Sequence, residues 1–187
     1  MITALVFAAG LGYAHPEQLV DTAFVAAHAK DANVRVLDLR RSGYEAGHIP
    51  GALWLDPESI RDPNNPPTFM MPAAVFAQTM ERLGISDRTR VIAYDDRGGL
   101  LASRLWWMLN AYGHSNVALL NGGWVQWTAE KRPTETAAAP VRVATFTPRL
   151  QPRWLATVTK SSRPSANRTR RSSTRGRWRK WTAATRG

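Results

Sequence analysis

Two adjacent carboxylates, an arginine and two glycines form the run Asp95-Asp96-Arg97-Gly98-Gly99, followed by Leu100. Carboxylates beside a guanidinium suit proton transfer, nucleophilic attack on phosphorus, or plain charge pairing. The preceding Val91-Ile92-Ala93-Tyr94 reads as a short apolar strand. Leu101, Leu105, Met108, Leu109 and Tyr112 then recur at i, i+4, i+7, i+8 and i+11, the pattern of a helix with one buried face. A loop ending at a helix N-terminus gathers backbone N–H donors and the positive end of the helix dipole. An anion is expected there. Phosphotransfer through Asp95 would need further carboxylates and metal ligands, which the loop lacks. The expected role of Asp95 is therefore to accept hydrogen bonds from loop amides or to pair with Arg97 or Arg104.

Other candidates are sparse. Cysteine is absent, which excludes disulfides, thiolate metal sites and a cysteine nucleophile in these 187 residues. His48 and His114 each follow a glycine, with no second ligand at metal spacing, so packing of turns is expected and no metal. Asp38 and Arg40 close a strand, where open α/β sheets place ligands; a local ion pair is the expectation, with an interdomain face as the alternative. No cofactor is expected.

The elements that must position these residues follow from periodicity. Strands are expected at residues 17–20, 34–38, 53–55, 91–94 and 117–120. Helices are expected at 22–29, 73–83 and 101–112, with a short one through Trp124 and Trp127. Pro72 suits the first turn of the second helix, Gly84 its end, and Val75, Phe76, Thr79, Met80 and Leu83 a buried stripe. Residues 61–67, rich in Pro and Asn, read as an exposed loop. Strands alternating with helices imply an α/β fold with a parallel sheet covered on both faces. Residues 134–158 read as a linker, with one strand at 141–146.

Charge divides the chain. Of 25 Lys and Arg, 10 lie in residues 159–187 with no acid among them, so the first 158 residues carry only +1 of the total +11. The basicity is a tail, expected to be disordered because it holds no Leu, Ile, Val, Met or Phe. A frame-shifted reading of GC-rich codons accounts for its Arg, Ser, Thr and Trp content; a nucleic-acid-binding arm is the alternative. Residues 1–15 read as a poorly ordered leader, too short to span a membrane and without the basic start of an export signal. A cytoplasmic protein with no membrane association is expected.

Three segments together resemble the rhodanese family of sulfurtransferases. The first is Asp38-Leu39-Arg40 with Tyr44-Glu45-Ala46-Gly47-His48-Ile49-Pro50-Gly51-Ala52. The second is Tyr94 to Gly99 leading into Ala102-Ser103-Arg104-Leu105-Trp106-Trp107. The third is Gly113-His114 with Asn121-Gly122-Gly123-Trp124. The likeness spans residues 16–133 and is strongest to the N-terminal half of tandem thiosulfate and 3-mercaptopyruvate sulfurtransferases. It implies a five-stranded parallel sheet between helices, with Asp38, Arg40, Glu45, Gly47, His48, Gly51, Arg104, His114, Gly122 and Gly123 as structural signature residues. In active members a cysteine carries sulfane sulfur as a persulfide, and Asp95 stands at its position here. The resemblance thus implies a catalytically silent domain with a degenerate loop at 95–100. Its implied partner is a C-terminal rhodanese domain of the parent enzyme, expected to begin near residue 155, where the basic tail appears instead. The alternatives are a sulfurtransferase in its own right and a nucleic-acid-associated protein acting through the tail, although no nucleic-acid partner is expected of the domain.

Overall fold

The computed structural model describes residues 14–62, 64 and 70–155. Five strands, β1 (Leu19–Val20), β2 (Val34–Asp38), β3 (Leu53–Trp54), β4 (Arg90–Tyr94) and β5 (Val117–Leu120), pair in the order β1-β5-β4-β2-β3. Every pairing is parallel. The helices are α1 (Thr22–His28), α2 (Ala73–Arg82), α3 (Ala102–Ala111) and α4 (Gly123–Ala129). This is the expected α/β fold.

Strand alternation assigns the helices to two faces. Leu37, Val91, Ala93 and Val117 pack with Phe76 and Met80 of α2 and Leu105 and Met108 of α3. Their chain neighbours Val36, Ile92, Tyr94 and Ala118 pack on the other face with Val25 of α1 and Trp127 of α4. Successive strand side chains point to opposite faces, so each central strand feeds two cores and is apolar throughout.

Element ends fall within a residue or two of expectation, the scatter normal for frayed termini. Pro72 is the N-cap of α2 rather than its first helical residue, and Leu101 and Tyr112 cap α3. Gly84 and Gly113 follow the two helices with positive φ. The first strand is shorter than expected because Pro16 starts a 3-10 turn, Pro16–Gln18, ahead of it. The stripe on α2 is narrower than its periodicity suggested: Phe76, Thr79 and Met80 are buried, Leu83 only in part, and Val75 is 43 % exposed. Val75 and Phe76 are adjacent and so diverge by about 100° around the helix; the larger ring takes the core. Of the expected exposed loop at 61–67, residues 63 and 65–67 lie outside the described residues; Asn64 is exposed, whereas Asp62 is buried and Arg61 bridges Met70.

No strand forms at 141–146. The stretch expected as a linker runs, in its described part to residue 155, across the ends of α2 and α3 as a strap. Main-chain N–H groups of Ala144, Arg149 and Gln151 donate to the carbonyls of Glu81, Tyr112 and Ala111 at 3.2, 2.8 and 2.7 Å. Phe146 and Thr147 donate to the side chains of Glu81 and Asp87. The strap satisfies its backbone one group at a time on helix ends and loops, so strand-like residues there build no ladder. Phe146 is 3 % exposed and packs its ring on Phe76 and His114, in the same core cluster as Tyr112. Gly113 admits the strap: a Cβ there would lie 2.9 Å from the Arg149 carbonyl. All but the last two residues of the leader, and the tail from 159 onward, lie outside the described residues.

Two outcomes follow. Phe146→Ala should lower unfolding stability in urea by about 3 kcal/mol, the range for emptying a buried ring site; a loss near zero would show that the strap is not part of the core. Burial lowers the pKa of His114 below its ordinary 6.5, against smaller opposing contributions from the Thr89 and Asn116 backbone and from Asp87. The unfolded chain then binds the proton first, so stability is full above that value and falls as pH drops through it. His114→Gln should flatten the change in urea midpoint between about pH 7.5 and 5.5 that the parent shows.

Candidate functional site

β4 ends at Tyr94, and the chain turns at once into a loop that folds around the next side chain. The Asp95 carboxylate is 1 % exposed. Its Oδ1 accepts the backbone N–H of Arg97 and of Gly99, both at 2.8 Å. Its Oδ2 accepts those of Leu101 and Ala102 at 2.6 and 2.9 Å. Four donors of the loop and the first turn of α3 thus converge on one anion, in the geometry that stabilises negative charge at a helix start. Of the two expected roles for Asp95, the amide cradle is the one present. The Arg97 side chain lies 3.9 Å from Asp96 instead, and both are solvent-exposed. Leu100 is 65 % exposed at the rim.

The main chain of Asp95 is held from the β5 side. Its carbonyl accepts the Trp124 N–H at 2.9 Å. Gly123, at φ +53°, brings α4 so close that a Cβ would stand 2.3 Å from that carbonyl. Gly122 precedes it as the left-handed N-cap of α4.

Beneath the loop lies a buried ion pair. Arg40 Nε donates to both oxygens of Asp38 at 3.1 and 3.0 Å, and Nη2 reaches Oδ2 at 2.6 Å and the Gly47 carbonyl at 2.7 Å. The Tyr94 hydroxyl donates to Asp38 Oδ2 at 2.7 Å. Trp124 stacks on the guanidinium, 3.9 Å from carbon to ring centroid. Burial works against the Arg40 charge, but the hydrogen bond and charge of Asp38 hold its pKa above the usual value. Burial, then Asp38, drives the Tyr94 phenol far above its own. Arg40 thus stays charged and the Tyr94 phenol protonated at neutral pH.

His48 is fully buried, stacks on Tyr44 at 3.9 Å, and sets Nδ1 2.9 Å from the Tyr44 carbonyl, which fixes that nitrogen as the donor. Its main chain exchanges two hydrogen bonds with Glu135, at 2.9 and 3.0 Å, and the Gly51 N–H donates to the Glu135 carboxylate. Both histidines pack turns. Glu45 is exposed and takes no part, whereas Arg104 lies half-buried in α3, near Arg61 and Glu58. Among the described residues no three His, Asp or Glu come together as a metal-binding group. Two cavities, of about 220 and 430 Å³, lie along α1 and residues 133–140; neither is lined by residues 95–101.

The structure gathers Asp38, Arg40, Gly47, Asp95, Gly122 and Gly123 at the C-terminal ends of β2, β4 and β5, and leaves Glu45, Asp96 and Arg97 exposed outside the buried network. Sequence reasoning missed Trp124 as the lid on Arg40 and Glu135 as the clamp on residues 48–51. The indole stands beside Gly122-Gly123, a signal that was available; Glu135 sits in a stretch with no periodicity.

Comparison with known proteins agrees with this geometry. The family model of the rhodanese-like domain matches residues 21–130. The sulfur carrier protein TtuD of Thermus thermophilus is 42 % identical over 134 residues, covering 67 % of this chain and 45 % of that protein. Thiosulfate sulfurtransferase of Gallus gallus is 37 % identical, covering 67 % of this chain and 48 % of that protein. 3-Mercaptopyruvate sulfurtransferase of Rattus norvegicus is 38 % identical, covering 64 % and 41 %. The chain spans less than half the length of these curated relatives. The crystal structure of SseA from Escherichia coli, a 3-mercaptopyruvate sulfotransferase with the rhodanese fold, superposes with a TM-score of 0.70 at 28 % identity, over 76 % of this chain and 59 % of that one. No described helix is long and apolar enough to cross a membrane. With the parallel sheet, the loop around Asp95 and the match over residues 21–130, the chain belongs to the rhodanese-like domain family.

Proposed function

We propose that this domain is a catalytically silent member of its family, serving to cover and shape a sulfur-transfer site carried by a partner domain of the same fold. The observation that carries the reading is the Asp95 carboxylate itself. It fills the cradle and takes up four N–H donors. Persulfide chemistry needs a thiolate that accepts sulfane sulfur and passes it on, and a carboxylate has no sulfur atom to do so. None of the 187 residues is a cysteine.

Two further observations support an interdomain role. The curated relatives are about twice as long as the part matched here, leaving room in each for a second domain. Apolar side chains also stand exposed where strands deliver their C-terminal ends: Trp54 at 44 %, Leu100 at 65 % and Val125 at 60 %. Such residues suit the face of a partner better than they suit water.

The purified chain should form no thiocyanate from thiosulfate and cyanide above a protein-free control; turnover would overturn the reading. Asp95→Asn should fold but lose about 2–4 kcal/mol in urea, since an amide group presents N–H to donors that require an acceptor. A neutral substitution there would mean that the cradle does not depend on the charge.

A further inference from the structure

Beneath the strap lies a histidine. His114 is 5 % exposed, directly follows the glycine over which the Arg149 carbonyl passes, and sets its ring 5.7 Å from that of Phe146. Its Nε2 is buried and has no hydrogen-bond partner. The backbone of Thr89 and Asn116 and the carboxylate of Asp87 favour a proton on the ring, but burial outweighs them. Asp87, from the turn before β4, is also engaged by the strap, accepting the Thr147 N–H at 2.7 Å. From α2, Glu81 accepts the Phe146 N–H at 3.2 Å, and the strap's own Arg149 is exposed.

A neutral imidazole is tolerated in this setting at the cost of one unfilled valence. An imidazolium is not: both nitrogens must then donate, and the Nε2 proton would be charged, buried and unpaired beside the Phe146 ring. Relief requires only the middle of the strap to lift, because its ends are moored elsewhere. His48 and Glu135 exchange main-chain hydrogen bonds at 2.9 and 3.0 Å, and Trp107 Nε1 donates to the Trp154 carbonyl at 3.0 Å. Between these moorings residues 144–151 are held by separate hydrogen bonds and one buried ring, outside the strand ladder. Segments held in this way open at less cost than unfolding the whole domain.

We propose that the strap is an acid-released latch: protonation of His114 lifts residues 144–151, with the Phe146 ring, off α2 and α3 while the sheet stays folded. The open state gives the imidazolium access to water and uncovers an apolar face that includes Phe76 and Tyr112, which neutral pH keeps shut. The latch does not depend on whether this domain transfers sulfur.

Amide hydrogen exchange, followed by NMR on the full chain and corrected for the intrinsic rate at each pH, tests it. The open state restores the ordinary histidine value of 6.5, so opening grows as pH falls through it. Protection at Ala144, Phe146, Thr147, Arg149 and Gln151 should fall about tenfold from pH 7.5 to 5.5, and at each pH should stay below that of Ile92 and Ala93 in β4. In His114→Gln the fall at the strap should vanish. Equal protection of strap and β4 would mean that the strap opens only with the whole domain, and an undiminished fall in His114→Gln would place the titrating group elsewhere; either result overturns the proposal. If His114→Gln does not fold, the parent decides: its His114 ring resonances should resist protonation until the strap opens, and a ring titrating at 6.5 beneath a protected strap overturns the latch. Thiocyanate formation by the parent would count against the silent-domain reading and leave this result untouched.

Discussion

Four backbone amides aimed at one carboxylate set the constraint from which the C-terminal edge of this domain is built. Those amides belong to a loop that cannot donate to itself and to a helix whose first N–H groups have no partner within it. An acceptor of full negative charge answers both needs at once. The side chain stays buried without penalty because every lone pair it turns inward meets a donor. With the side chain fixed, the main chain of Asp95 is fixed too, and its carbonyl becomes the seat on which α4 docks through Trp124. The approach of Gly123 is a consequence of that seat.

The ion pair below is the second tier. Asp38 and Arg40 are two residues apart on one strand end, so their pairing needs little chain closure. Its cost is desolvation, and a pair this buried gains stability only when its remaining valences are filled. Tyr94, Gly47 and the face of Trp124 fill them. Each filler comes from a different segment, so the pair ties β2, β4, α4 and residues 44–48 into one edge. Removing either partner would leave a buried charge, at a cost of about 3–5 kcal/mol. The pair therefore does more for the arrangement of the edge than for net stability.

The sheet was legible because its residues speak locally: β-branched runs such as Val34-Arg35-Val36-Leu37 and helices with a clear stripe and a terminating glycine carry their own signal. The position of Asp95 was legible for the same reason, as a carboxylate between a strand and a helix. Less legible were partners joined across long separations. Glu135 reaches His48 and Gly51 from more than eighty residues away. Phe146 looked like one residue of a strand because the pattern around it has the right composition, while its burial is decided by a hollow between α2 and α3. Val75 shows the converse: a helical stripe predicts which side faces inward but not how wide the contact is.

The strap has a consequence for how the domain comes into being. A ribosome delivers the described strands and helices of the sheet layers before it delivers residue 146, so the hollow beneath α2 and α3 stays open until the strap has emerged. A fragment ended at residue 130, where the family match stops, would carry every described strand and α-helix yet leave Phe76 and His114 without the Phe146 ring. The boundary drawn by family likeness and the boundary at which this polypeptide can close its core are different places.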